Sequence, residues 1–273
     1  MNLKSILIVV AHPDDEALGA GGLIHKLSSD GIEINCMILS GNVEARSTKP
    51  SKDKINLNIK AAGKILGIND HIIGDFKNIE FNMYPHLEIV KFIENGIDKY
   101  NPTTILTHHM SDINDDHVIT SKACLAASRF YQRRNIKNNL KNLLTMEILS
   151  STDWSFPSSD PYQPNTYCSL RKEDLDKKID ALEAYQDILR PDPHPRSISN
   201  IKSLASIRGS EYGCKYAESY QSLFALIDEN GWGSTGERAN PRLRFKKRIA
   251  GCLGHNFNEY FTNTNGRSKG IRC

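Results

Sequence analysis

Apolar residues fall in short β-branched or aliphatic runs along the first two-thirds of the chain: "SILIVVA" (5–11), "EINCMILS" (33–40), "DHIIGDF" (70–76), "TTILTHH" (103–109) and "LLTMEILSS" (143–151). Each has the length of a parallel strand buried on both faces. The segments between them, 14–31, 53–68, 87–102 and 117–132, repeat apolar residues at i, i+3, i+4 and i+7, and several end near glycine or proline. That spacing predicts helices. Strands alternating with helices predict an α/β fold, a Rossmann-like, mostly parallel sheet flanked by helices. In such sheets ligands bind beyond the carboxyl ends of the strands. His12 and the pair His108–His109 stand at those ends.

Beyond residue 150 the pattern changes. "SSTDWSFPSSDPYQPNTY" (150–167) reads as a long loop over one face, "KEDLDKKIDALEAYQDIL" (172–189) as an amphipathic helix, and the segment from about Ser199 to Arg208 as another helix. "GAGG" (19–22) lacks the third glycine of a dinucleotide fingerprint, since Ile24 stands there. Its glycines serve close packing instead.

The chain has 273 residues, 39% hydrophobic and 25% charged, enough for one large domain with an appendage. The domain is expected over 1–230, with a basic extension over 231–273. Nine Lys/Arg against two acids give that extension a surplus of seven positive charges. With a net charge of +3, the body is left four negative. An acidic body without a recognition module argues against nucleic-acid binding. The extension reads first as a plain surface tail and second as a peripheral contact with an anionic membrane. No run approaches a membrane span, and the N-terminal apolar run, although preceded by Lys4, is too short for a leader, lacks a small-x-small cleavage site and leads straight into the acidic motif, so a cytoplasmic protein is expected. Six scattered cysteines without CxxC spacing predict reduced thiols.

The chemistry concentrates in two places. In "HPDDE" (12–16) Pro13 favours an extended His12 and suits a first helical position, while Asp14, Asp15 and Glu16 fall in the opening turn, where the helix dipole favours anions. That account is complete without function. A second reading has His12 and Asp15 aimed at one point across the strand-to-helix turn, with Glu16 as a helix-start or supporting residue. "THHMSDINDDHVIT" (107–120) places three histidines and three aspartates within ten residues at another strand end. His12, Asp15 and His117 together make two imidazoles and one carboxylate, a set suited to zinc with an open position for water. Asp14 could then take a proton from that water.

"AHPDDEALGAGG" with "THHMSDINDDH" resembles the PIG-L/LmbE-like family of metal-dependent N-deacetylases, which act on N-acetylglucosamine-type sugars. "SSTDWSF" and "LRPDPHPRSISNIKSLASIRGSEYGCKYAESY" extend the likeness over roughly residues 4–228. The resemblance implies a zinc-dependent hydrolase that releases acetate from a small N-acetylated sugar or glycoconjugate. His12, Asp15 and His117 would be its metal ligands and Asp14 its general base. Where many members carry an oxyanion-stabilising histidine three residues before the last ligand, this chain has Asn114, an amide that donates a hydrogen bond but cannot act as an acid. Protonation of the leaving amine then falls to Asp14 or to one of His108, His109 and His194. Asp75, Arg46, His109 and Arg196 are substrate-contact candidates, each weighed against a turn, loop or packing role, and Trp154 is a candidate to stack on a sugar. The same two-His-one-carboxylate set also suits ferrous iron, which leaves open a non-haem iron oxygenase. A non-catalytic sugar-binding module on the same fold is the third reading.

Overall fold

The computed structural model describes residues 3–41, 50–134, 139–156 and 160–226. Arg46 and the 231–273 extension lie outside these residues. Five strands, β1 (Ser5–Val10), β2 (Glu33–Ile38), β3 (Asp70–Ile73), β4 (Thr104–His108) and β5 (Asn142–Met146), pair in parallel in the order β3-β2-β1-β4-β5. β7 (Ala217–Ala225) then adds antiparallel to β5, and β6 (Thr166–Ser169) adds antiparallel to β7 at the edge.

Alternate residues of β1 show why both faces are covered. Ile6, Ile8 and Val10 pack into one core with α1 (Asp15–Ser29), α2 (Lys52–Leu66), α6 (Lys172–Glu183) and α7 (Ile198–Tyr212). Leu7, Val9 and Ala11 pack into the other, with α3 (His86–Tyr100), α4 (Asp115–Ala127) and α5 (Phe130–Arg134). A strand buried on both sides has no polar face, so its sequence reads as one apolar run. The expected mostly parallel sheet flanked by helices is the one observed.

Three details depart from expectation. The helix expected over 117–132 breaks at Ser128, whose hydroxyl donates to the Leu125 carbonyl at 2.8 Å, a local bond that competes with helical continuation. The end of the 150–167 loop is strand β6, and β7 follows from a segment that showed no strand run. Both are half-polar antiparallel strands. Pro13 lies outside α1, which begins at Asp15 with Asp14 as its N-cap. The acids of the opening turn bond back instead, Asp15 Oδ2 accepting from the His12 N–H at 2.9 Å and Glu16 Oε2 from the Asp14 N–H at 3.1 Å.

The chain builds outward from β1 to β3 and then crosses back to β4 on the other side of β1. The carboxyl ends of β1 and β4 therefore flank the reversal of strand order, where α/β sheets open a crevice.

Candidate metal and acid–base site

β1 delivers His12, the first turn of α1 delivers Asp15, and the first turn of α4 delivers His117. All three are buried. His12 Nδ1 stands 3.2 Å from His117 Nε2, and Asp15 Oδ2 lies 3.4 Å from the first and 3.3 Å from the second. One side-chain atom from each of the three thus converges on a single small volume.

The outer ring nitrogens explain which atoms face inward. His12 Nε2 is 3.0 Å from Asp116 Oδ2, and His117 Nδ1 is 3.1 Å from Asp112 Oδ2. A carboxylate only accepts, so each imidazole carries its proton on that outer side and turns a lone pair inward. Two imidazole lone pairs and a carboxylate oxygen facing one another within hydrogen-bond distance repel unless a cation or a proton lies between them. The donor set therefore fits a divalent cation, with a carboxylate behind each imidazole as second-sphere support. Where no cation lies there, protons compete for the place: burial lowers the pKa of His117, but Asp15 and Asp112 outweigh it and raise it to about 10.

The supporting acids are themselves held. Asp116 accepts from the Ile79 N–H at 2.6 Å and the Phe81 N–H at 3.0 Å, which ties the β3–α3 connection to the site. Asp112 accepts from the Ser151 hydroxyl, the Thr152 hydroxyl at 2.8 Å and the Asn114 N–H at 2.9 Å. Asp112 and Asp116 belong to the acidic run of 107–120, but nothing in their spacing distinguished them from Asp115. The signal that could have found them is the need of each ligating imidazole for an acceptor on its far nitrogen.

Asp14 adopts φ 108°, ψ −26°, a left-handed conformation that costs a non-glycine residue of order 1–3 kcal/mol and that clusters at functional sites. Its carboxylate lies 3.6 Å from Arg196 Nη1. The Arg196 guanidinium is fixed in turn, Nε donating to the Ser150 hydroxyl at 2.7 Å and the Leu149 carbonyl at 3.2 Å. Asn114 is the N-cap of α4: its Oδ1 accepts from the Asp116 N–H at 2.9 Å, so the nitrogen end of the amide is the end not used in the cap.

The remaining sequence candidates separate. His108 stacks flat on His117, with ring centroids 3.9 Å apart, and its Nε2 accepts from the Ala11 N–H at 2.9 Å. Burial and the neighbouring His117 push its pKa down to about 3, which keeps it neutral. His109 turns to Tyr162, edge to face at 5.3 Å, a packing position beside β7. His194 accepts the Arg196 N–H at 3.1 Å and meets Trp154 edge to face at 5.9 Å, a pair one step out from Asp14. Asp75 is exposed and pairs with Lys52 at 2.6 Å, apart from the donor cluster.

Three comparisons bear on this arrangement. Residues 7–128 match the family described as GlcNAc-PI de-N-acetylase, PIG-L. The "Probable N-acetyl-alpha-D-glucosaminyl L-malate deacetylase 2" of Bacillus cereus is 30% identical over 142 residues, which cover 45% of this chain and 60% of that protein. Among solved structures, the N,N'-diacetylchitobiose deacetylase of Pyrococcus horikoshii superposes with a TM-score of 0.65 at 18% identity, over 81% of this chain and 84% of that one. The 4-carboxy-2-hydroxymuconate hydratase of Pseudomonas putida does so equally well, TM-score 0.65 at 20% identity, over 84% and 99%. The fold alone therefore does not select a reaction.

Proposed function

We propose, on the likeness of residues 7–128 to the PIG-L family, that the chain is a metal-dependent N-deacetylase of that family, releasing acetate from an N-acetylglucosamine-type sugar or glycoconjugate. The observation that carries the proposal is the convergence of His12, Asp15 and His117, with Asp116 and Asp112 behind the two imidazoles. The deacetylase name of the Bacillus cereus relative supports the substrate class.

His12, Asp15 and His117 would hold the cation, zinc or ferrous iron. When bound, such an ion supplies Lewis-acid polarisation of water and of the acetyl carbonyl. The chain's own residues supply the rest. Asp14, one residue from the ligand Asp15, takes the proton from the attacking water. Arg196 Nη1 stands 3.6 Å from that carboxylate and orients it. As the carbonyl oxygen gains charge, the free amide nitrogen of Asn114 is the donor available at the start of α4. Asparagine brings no acidic proton, so Asp14 returns its proton to the leaving amine, and His194, whose Nδ1 accepts the Arg196 backbone N–H, is the further candidate for that proton. His108 is assigned a packing role against His117, and His109 one against Tyr162. Arg196 acts on Asp14 and the Leu149–Ser150 loop ahead of any substrate contact, and Trp154 lines the outer edge beside His194.

Acetate release from a panel of N-acetylglucosamine derivatives, before and after chelation and with zinc or ferrous iron restored, tests the proposal. Metal-dependent acetate is the expected result. Metal-loaded protein that hydrates or oxidises a substrate without releasing acetate, or that binds N-acetylated sugars without turnover, would replace it. Among the described residues no helix is long and apolar enough to cross a membrane.

A further inference from the structure

Glu16 is buried beside two other acids, Asp14 and Asp15, on the same turn. A carboxylate in that position keeps its place only if both oxygens are engaged. One is held locally: Oε2 accepts the backbone N–H of Asp14 at 3.1 Å. The other is held from far along the chain: Oε1 accepts the hydroxyl of Tyr185 at 2.6 Å, from the residue just after α6. Tyr185 is itself buried in the core between α1 and α6. The N–H that Glu16 accepts belongs to the residue whose backbone is left-handed. Beyond its carbonyl, which accepts from the Ala17 and Leu18 N–H groups at 3.1 and 2.9 Å, Asp14 is held by its N–H through Glu16 and Tyr185 and by its carboxylate beside Arg196. Tyr185 and Arg196 both lie on the stretch between α6 and α7, outside the 7–128 family match.

We infer that Tyr185 is a positioning residue for the proton-transferring Asp14, acting through Glu16 to hold the left-handed backbone turn from which Asp14 projects. The inference rests on the acid–base role proposed above for Asp14. Tyr185 touches none of His12, Asp15 and His117 through its hydroxyl, so its loss should spare metal binding. A misplaced base costs rate far more than it costs ground-state binding.

The test uses the full chain carrying Tyr185→Phe, which removes one hydroxyl and keeps the ring. Bound metal and KM are expected to stay within about twofold of wild type, while kcat falls ~10- to 100-fold. In the Asp14→Asn background the same substitution should cost nothing further, because the carboxylate whose placement it serves is gone. A crystal structure of Tyr185→Phe should show Asp14 released from its left-handed turn or its N–H parted from Glu16. An unchanged kcat, an equal loss in the Asp14→Asn background, or an Asp14 that keeps both its left-handed turn and its bond to Glu16 would each overturn the inference. If the wild-type protein releases no acetate from any substrate, the deacetylase reading fails separately, and the crystallographic result at Asp14 still decides this one. If Tyr185→Phe does not fold, Glu16→Gln answers the same question: it leaves an acceptor for Tyr185 and turns an amide N–H toward the Asp14 N–H.

Discussion

His12 Nε2 lies 3.0 Å from Asp116 Oδ2, while the other nitrogen of the same ring faces His117 at 3.2 Å. One imidazole therefore reads two shells at once, an acid that fixes its tautomer and a volume that wants a cation. Asp116→Asn keeps the size of the side chain and removes the charge. Metal affinity, followed by calorimetric titration into apoprotein, is expected to fall ~10- to 100-fold. An unaltered affinity would show that Asp116 only anchors the Ile79 and Phe81 backbone.

Asp14→Asn separates base from ligand. The variant should bind metal with wild-type stoichiometry and lose ~10²–10⁴-fold in kcat. Near-wild-type turnover would move proton transfer to another group, with His194 first in line.

Asp174 carries no catalytic role and offers a clean pH prediction. Its buried carboxylate accepts from Arg171 N at 2.8 Å, Nε at 2.9 Å and Nη2 at 2.7 Å, and faces His25 Nδ1 at 2.8 Å. Burial pushes its pKa up, but the Arg171 and His25 hydrogen bonds more than offset this, so it lies below the ordinary 3.8. A carboxyl depressed in the folded state stabilises the fold above its unfolded pKa and loses that contribution as pH falls through the folded value. Asp174→Ala should cost about 1.5–3 kcal/mol at pH 7 by urea unfolding, and the gap from wild type should narrow below about pH 4. A gap that widens on acidification would reverse the assignment.

Gly74 continues the pairing of β3 past its last residue, its N–H donating to the Ile38 carbonyl at 2.8 Å. A Cβ there would come within 2.4 Å of the Leu39 carbonyl oxygen and 3.0 Å of Phe92 Cζ. Backbone cannot swing aside as a side chain can. Gly74→Ala is expected to lower stability by about 1–3 kcal/mol in urea melts, with bound metal unchanged in the folded fraction.

The sequence was most legible where burial is symmetrical. β1, β2, β4 and β5 read as apolar runs because both faces are covered, while β3 at the edge of the sheet is only half-buried. β7, with "AESYQSLFA", is half-polar and looked like loop. The donor trio was visible in the residue types and their places at strand ends. Its support was not: whether Asp112, Asp115 or Asp116 turns inward depends on the phase of α4 and on which backbone N–H groups meet each acid. Asp14 illustrates the same limit. Its residue type suggested a base at a helix start, but no pattern in "HPDDE" announces a left-handed backbone or a tyrosine 171 positions later that helps to hold it.

That left-handed aspartate also marks where the molecule departs from its own best stability. Glycine adopts φ 108° without steric penalty, and a chain selected only to stay folded would carry glycine at position 14. Asp14→Gly should therefore survive heat and urea at least as well as wild type while losing turnover. Stability screening of variants would reward the loss of a side chain the chemistry needs.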